Sequence, residues 1–265
     1  MNCQDSFFEM EGQETLRPVP QQRIRDKVDE CMSRRDYAGV ERTLRYWLAE
    51  ARAGRDQRGE LMVLGELIGH YRKTGESAKA HESAEQALAL LEEMDYTASL
   101  SAATTYVNIA TAYHAFGEAD KALPLFEKAQ VIYEASPGAS PALRGGLYNN
   151  MGLCCAALEK YDQALALYEK ALREMALVPN GAIEQAVTKL NMANAVEGQT
   201  GMAQGEGRIF ALLDQAASLL EDPTLPRDGY YAYVCEKCAP TFDYYGYFAE
   251  AELLRQRAEE IYEGA

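Results

Sequence analysis

Cys235 and Cys238, in the stretch YVCEKCAPTF, give the chain its one obvious candidate for chemistry. C-x-x-C spacing suits a metal knuckle or a dithiol redox pair. A structural zinc site needs four ligands, and no second cysteine pair or histidine is spaced to complete one; the only histidines are His70, His81 and His114. The glycine-rich stretch GQTGMAQGEG, residues 198–207, lacks the lysine and the preceding strand of a phosphate loop, and reads as an elongated turn between helices. The sequence therefore predicts no catalytic residue, no metal, no cofactor and no enzymatic activity.

Composition narrows the classes further. Lys and Arg number 26 against 41 Asp and Glu, a formal charge of −15, so the average surface repels a phosphate backbone and nucleic acid is not expected as a partner. A protein or peptide partner fits this field best if its segment is neutral or basic rather than acidic. With 48% hydrophobic residues in 265, the chain has ample material for an extended core. The amino terminus does not read as a signal peptide, no window offers the roughly 18 apolar residues of a spanning helix, and the six cysteines show no small-scaffold disulfide pattern. These features lead to an expectation of a cytoplasmic protein without a membrane partner. A homo-oligomer is left open.

The elements that position any site come from a repeat. LYNNMGLCCAALEKYDQALALYEKAL (147–172) aligns with TYVNIATAYHAFGEADKALPLFEKAQ (105–130) when Gly152 is laid on Ala110, an offset of 42. A further step of 42 reaches Ile68, and weaker copies place Val28, Ala193 and Ala239 in the same slot. Apolar residues recur three and four apart within each copy, which is the helical period, so each copy reads as a helix pair. Gly75, Gly117, Gly201 and Gly246 sit between the paired helices, with Glu159 in the fourth copy, and the second helix of the fifth copy is expected to start about four residues late. Residues 1–20 read as an irregular tail loosely docked through Phe7 and Phe8, and residues 21–265 as a single domain.

The pattern resembles the tetratricopeptide repeat family. Tyr148, Met151, Gly152, Cys155, Ala164, Tyr168 and Ala171 fill the family's large, leucine, small, tyrosine, alanine, aromatic and alanine slots in order. Tyr106, Ile109, Ala110, Tyr113, Ala122, Phe126 and Ala129 do the same one copy earlier. The spacing near 42 is similar to the long repeats of kinesin light chains and bacterial peptide-sensing regulators. The resemblance implies an all-α, right-handed superhelical solenoid of about six helix pairs whose first helices line a concave groove. It also implies a non-enzymatic scaffold that holds an extended partner segment there. The alternative it leaves open is an intracellular peptide or ligand sensor whose superhelix changes shape on binding.

Carried onto this chain, the family's groove slots fall on Asn108, Thr111 and His114, on Asn149, Asn150 and Leu153, and on Asn191, Asn194 and Glu197. Asn108, Asn150 and Asn191 occupy equivalent slots, and an amide that both donates and accepts suits a clamp on peptide backbone, although such amides also bond neighbouring helices. Six of the 17 tyrosines fall within residues 230–247, with Tyr233 and Tyr244 as candidate side-chain anchors and a capping role for the cluster as the competing reading. In the same register Cys235 and Cys238 take inward slots, which assigns them to packing. Pro240 removes an N–H from the groove side of that helix and is expected to bend it.

Overall fold

A computed structural model describes residues 16–264 of the chain. Every regular element among them is an α-helix: α1 (Gln21–Ser33), α2 (Tyr37–Ala53), α3 (Gln57–Thr74), α4 (Ser77–Glu93), α5 (Leu100–Ala115), α6 (Ala119–Ala135), α7 (Pro141–Ala157), α8 (Tyr161–Met175), α9 (Ala182–Thr200), α10 (Met202–Leu220), α11 (Gly229–Tyr244) and α12 (Phe248–Gly264). They form six antiparallel pairs in chain order, an all-α fold of the repeat-solenoid class. The chain divides into two compact units, the first ending at Asp95 and the second starting at Tyr96.

Local chemistry starts and stops these helices. Asp36, Asp56, Ser99, Ser140 and Asp228 each accept a backbone N–H of the first turn, satisfying a donor that the helix itself leaves unpaired. Asp56 also accepts the Val19 N–H at 2.8 Å, which ties the segment before α1 to the first unit. Phe7 and Phe8, expected to dock that tail, lie outside the described residues. Within all six pairs the turn contains a residue at positive φ: Arg35, Gly75, Gly117, Glu159, Gly201 and Gly246. Four are glycine, for which this conformation is free, and two are not.

The repeat register is visible in burial. Val28, Ile68, Ala110, Gly152, Ala193 and Ala239, the residues sharing one slot, are all buried. A Cβ on Gly152 would lie 2.4 Å from the Tyr168 ring, so glycine here sets how closely α7 approaches α8. In the second unit, α6 packs on α7 and α8 on α9, and the first helices meet in order, α5 with α7, α7 with α9 and α9 with α11. Each pair thereby covers the apolar edge of the one before it.

The reading of residues 198–207 as an elongated turn is corrected. Only Gly201 separates α9 from α10, so the second helix of this pair starts on time at Met202. Glycine-rich sequence disfavours helix locally, but Gly205 packs within reach of Thr200, Val196 and Ile209, where a Cβ would lie 2.8 to 3.1 Å from their atoms. Tertiary packing outweighs propensity at this point.

Candidate binding surface

The neighbouring first helices α5, α7, α9 and α11 of the second unit present one wall, and helical spacing puts the polar residues of each on it. Asn108 is exposed on α5. Asn150 Nδ2 on α7 lies 3.4 Å from Thr111 Oγ1, a long bond, while Asn191 Nδ2 on α9 donates to Asn149 Oδ1 at 3.0 Å. Thr188 Oγ1 is 3.1 Å from the same Asn149 oxygen and 2.8 Å from the Glu184 carbonyl. The amides therefore differ in availability: free at Asn108, weakly held at Asn150, more firmly held at Asn191.

At the far end of α9, Glu197 accepts from Tyr244 at 2.9 Å and from Tyr245 at 2.8 Å. The Tyr245 hydroxyl also lies 3.0 Å from Asn194 Oδ1. It has one proton, and the charged carboxylate is the stronger acceptor, so the Asn194 amide orientation that fits turns an N–H toward the phenol oxygen. Leu153 fills the equivalent slot on α7, half-buried. His114 is also half-buried, its Nδ1 has no partner, and desolvation holds its imidazole below the usual histidine range, so it is neutral at pH 7.

The tyrosine-rich segment separates into two roles by helical phase. Tyr231 and Tyr245 are buried with Phe242 in the core, where the Tyr231 hydroxyl donates to the Leu220 carbonyl at 2.9 Å. Tyr233 and Tyr244 remain exposed, and Lys237 places its ammonium 5.6 Å from the centre of the Tyr233 ring. Helix α11 continues through Pro240, which is exposed at a position spaced to share the face of Tyr233 and Tyr244. Sequence reasoning missed Tyr245, Thr188 and the bond from Tyr230 to Glu184. The last was detectable, because Glu184 and Tyr230 stand 46 residues apart, the offset that relates Ala193 to Ala239.

The cysteines lie inside. Cys235 and Cys238 are 0% and 2% exposed, and burial pushes their thiols up to about 11 and about 12, far from the thiolate that redox chemistry or metal binding requires. A different cluster in the first unit brings Glu41, His70 and Glu76 ligand atoms within 4.8 Å of one another. The Lys79 ammonium already lies 2.9 Å from Glu41 and 2.6 Å from Glu76, so the cation position is taken by the protein itself.

Comparison with known proteins agrees with this architecture. Residues 101–173, spanning α5 to α8, match the family model described as tetratricopeptide repeat. BtubC (BKLC) from P. vanneervenii is structurally similar, with a TM-score of 0.65 at 20% identity over 77% of this chain and 83% of that one. A Podosopora anserina chain described as kinesin light chain nearly identical TPR-like repeats superposes with a TM-score of 0.52 at 18% identity over 76% of this chain and 94% of that one. No curated protein is matched by sequence. Together these define the fold class as a helical-repeat protein. Residues 101–173, the third and fourth helix pairs, carry the tetratricopeptide-repeat pattern, and the other described pairs repeat the same helix pairing. Tetratricopeptide repeats generally mediate protein–protein interaction, and no described helix is long and apolar enough to cross a membrane.

Proposed function

We propose that this protein is a non-enzymatic binding module that holds an extended segment of a partner protein along the wall of α5, α7, α9 and α11. The observation that carries the reading is the line of amides on these helices. Asn108, Asn150 and Asn191 recur at equivalent slots, flanked by Thr111, Asn149 and Asn194. Backbone amides of an extended chain are polar at every residue, so a surface that offers donors and acceptors at each repeat can engage a segment whatever its side chains. Exposed Tyr233 and Tyr244 at the end of the wall add apolar area with polar tips, the chemistry favoured in binding hot spots.

Panning a random peptide library on the chain, and on the chain with Asn108, Asn150 and Asn191 all changed to Ala, tests the reading. Selected peptides should bind the triple variant at least tenfold more weakly, while its helical content stays at the wild-type level. Equal binding to both proteins refutes the reading.

A further inference from the structure

Some carboxylates in the second unit are matched by basic side chains, as Glu174 is by Arg144 at 2.8 Å and Glu134 by Lys170 at 3.7 Å. Glu197 differs. It is half-buried on the wall and is held by two phenols, Tyr244 on Oε1 and Tyr245 on Oε2, and among the described residues no lysine or arginine lies within ion-pair distance of it. A phenol donates a hydrogen bond without supplying a charge, so the carboxylate is fixed in place while its negative charge stays uncompensated.

The surroundings of Glu197 are those of a cation receptor. Tyr245 is only 7% exposed and anchors the corner, and its ring meets that of Tyr244 edge to face with centroids 4.9 Å apart. Tyr244 is 68% exposed, leaving ring surface open beside the carboxylate. Each oxygen of Glu197 keeps a lone-pair direction beyond the one its phenol uses, and an aromatic ring next to an anion attracts ammonium and guanidinium groups through both charge and quadrupole. The wall's own nearby cation, Lys237, rests against Tyr233 instead. At the other end of α9 the arrangement recurs, with Glu184 accepting from the half-exposed Tyr230 and again having no basic partner among the described residues.

We propose that the corner formed by Glu197, Tyr244 and Tyr245 receives a lysine or arginine side chain of the segment held on the wall, and so sets which segments are chosen. This rests on the reading of the wall as a peptide-binding surface and adds to it a residue-level selectivity. A segment with an acidic or apolar residue at that position would leave the carboxylate desolvated and unpaired, which disfavours it.

Random twelve-residue peptides selected on the full chain provide the test. Ligands should share a lysine or arginine at one position. Replacing an arginine there by citrulline, its neutral near-isostere, should weaken binding to the wild type about tenfold or more, as expected for loss of a charge-assisted bond. The same replacement should change binding to Glu197→Gln less than twofold, and Glu197→Lys should select acidic residues at that position. Ligands that weaken on Asn150→Ala and Asn191→Ala but show no basic preference, or whose citrulline forms lose equally on wild type and Glu197→Gln, overturn this inference and leave the wall reading standing. Ligands indifferent to all these changes, or a selection that yields none, overturn the wall reading and this inference with it.

Discussion

The approach of α7 to α8 at Gly152 turns one atom of sequence into a stability measurement. An alanine Cβ there would stand 2.4 Å from Tyr168 Cε1, 2.7 Å from Cδ1 and 2.9 Å from Cζ, against ordinary carbon contacts of about 3.5 to 4.0 Å. The ring would have to withdraw by about 1 Å, yet Tyr168 is 1% exposed and belongs to the buried core cluster that also holds Cys155, Ala164, Leu190 and Ala193. Overpacking of this kind costs about 1–3 kcal/mol, while replacing glycine by alanine within a helix gains about 1 kcal/mol. Gly146 lies in the same helix with nothing within 4 Å of its Cβ position, so Gly146→Ala takes the helical gain without the clash. The two variants should differ by about 1–3 kcal/mol, with Gly146→Ala above wild type and Gly152→Ala at or below it. Urea unfolding followed by far-UV circular dichroism reads the order, and Tyr168→Leu in the Gly152→Ala background should recover part of the loss. Equal stabilisation by both alanines would refute close helix approach as the reason for glycine at this slot.

Other outcomes follow from the same geometry. Glu159 holds φ at 57° in the turn where four of the other pairs use glycine, so Glu159→Gly should raise stability by about 1 kcal/mol in urea titrations, and Gly117→Ala, at φ 80°, should lower it by about the same amount. Asn149→Ala removes the acceptor that Asn191 uses and should cost about 1 kcal/mol, with faster amide exchange in α9 as the local readout. Alkali should destabilise the fold. Tyr71 and Tyr148 are pushed up to about 12 by burial and by the carboxylates they bond, and Cys235 and Cys238 to about 11 and 12 by burial. Above pH 9 to 10 the unfolded chain loses these protons while the folded one keeps them, so stability present below pH 9 should fall steadily toward pH 12. A flat profile across that window would contradict the burial of these groups. At pH 8 the two cysteines should resist iodoacetamide in the folded protein and react once urea unfolds it.

Much of this architecture is legible in the sequence because a repeat reports on itself. Fixing Gly152 on Ala110 places Ile68, Ala193 and Ala239 without reference to helix propensity, and these are the residues the fold buries. The same register assigns Glu159 to a turn that its side chain would never suggest. What the letters hide is phase and competition. Tyr244 and Tyr245 are identical neighbours, but about 100° of helical rotation sends one to solvent and the other into the core, so composition identifies the cluster and only the helix sorts it. The start of α10 is hidden for a related reason, since Gly205 and Gly207 read locally as turn while the space against Val196 and Ile209 demands a residue without a side chain. The amides are the subtlest case. Their slots can be read from spacing, whereas the bond from Asn191 to Asn149 depends on two helices meeting at a particular height, so the cost of freeing each amide for a ligand is set by stacking. That cost should rise along the wall from Asn108 through Asn150 to Asn191, and single alanine substitutions should weaken a bound segment most where the amide is least engaged internally. Binding losses in the reverse order would mean that these side chains serve the helix stack and leave recognition to the tyrosines and Glu197.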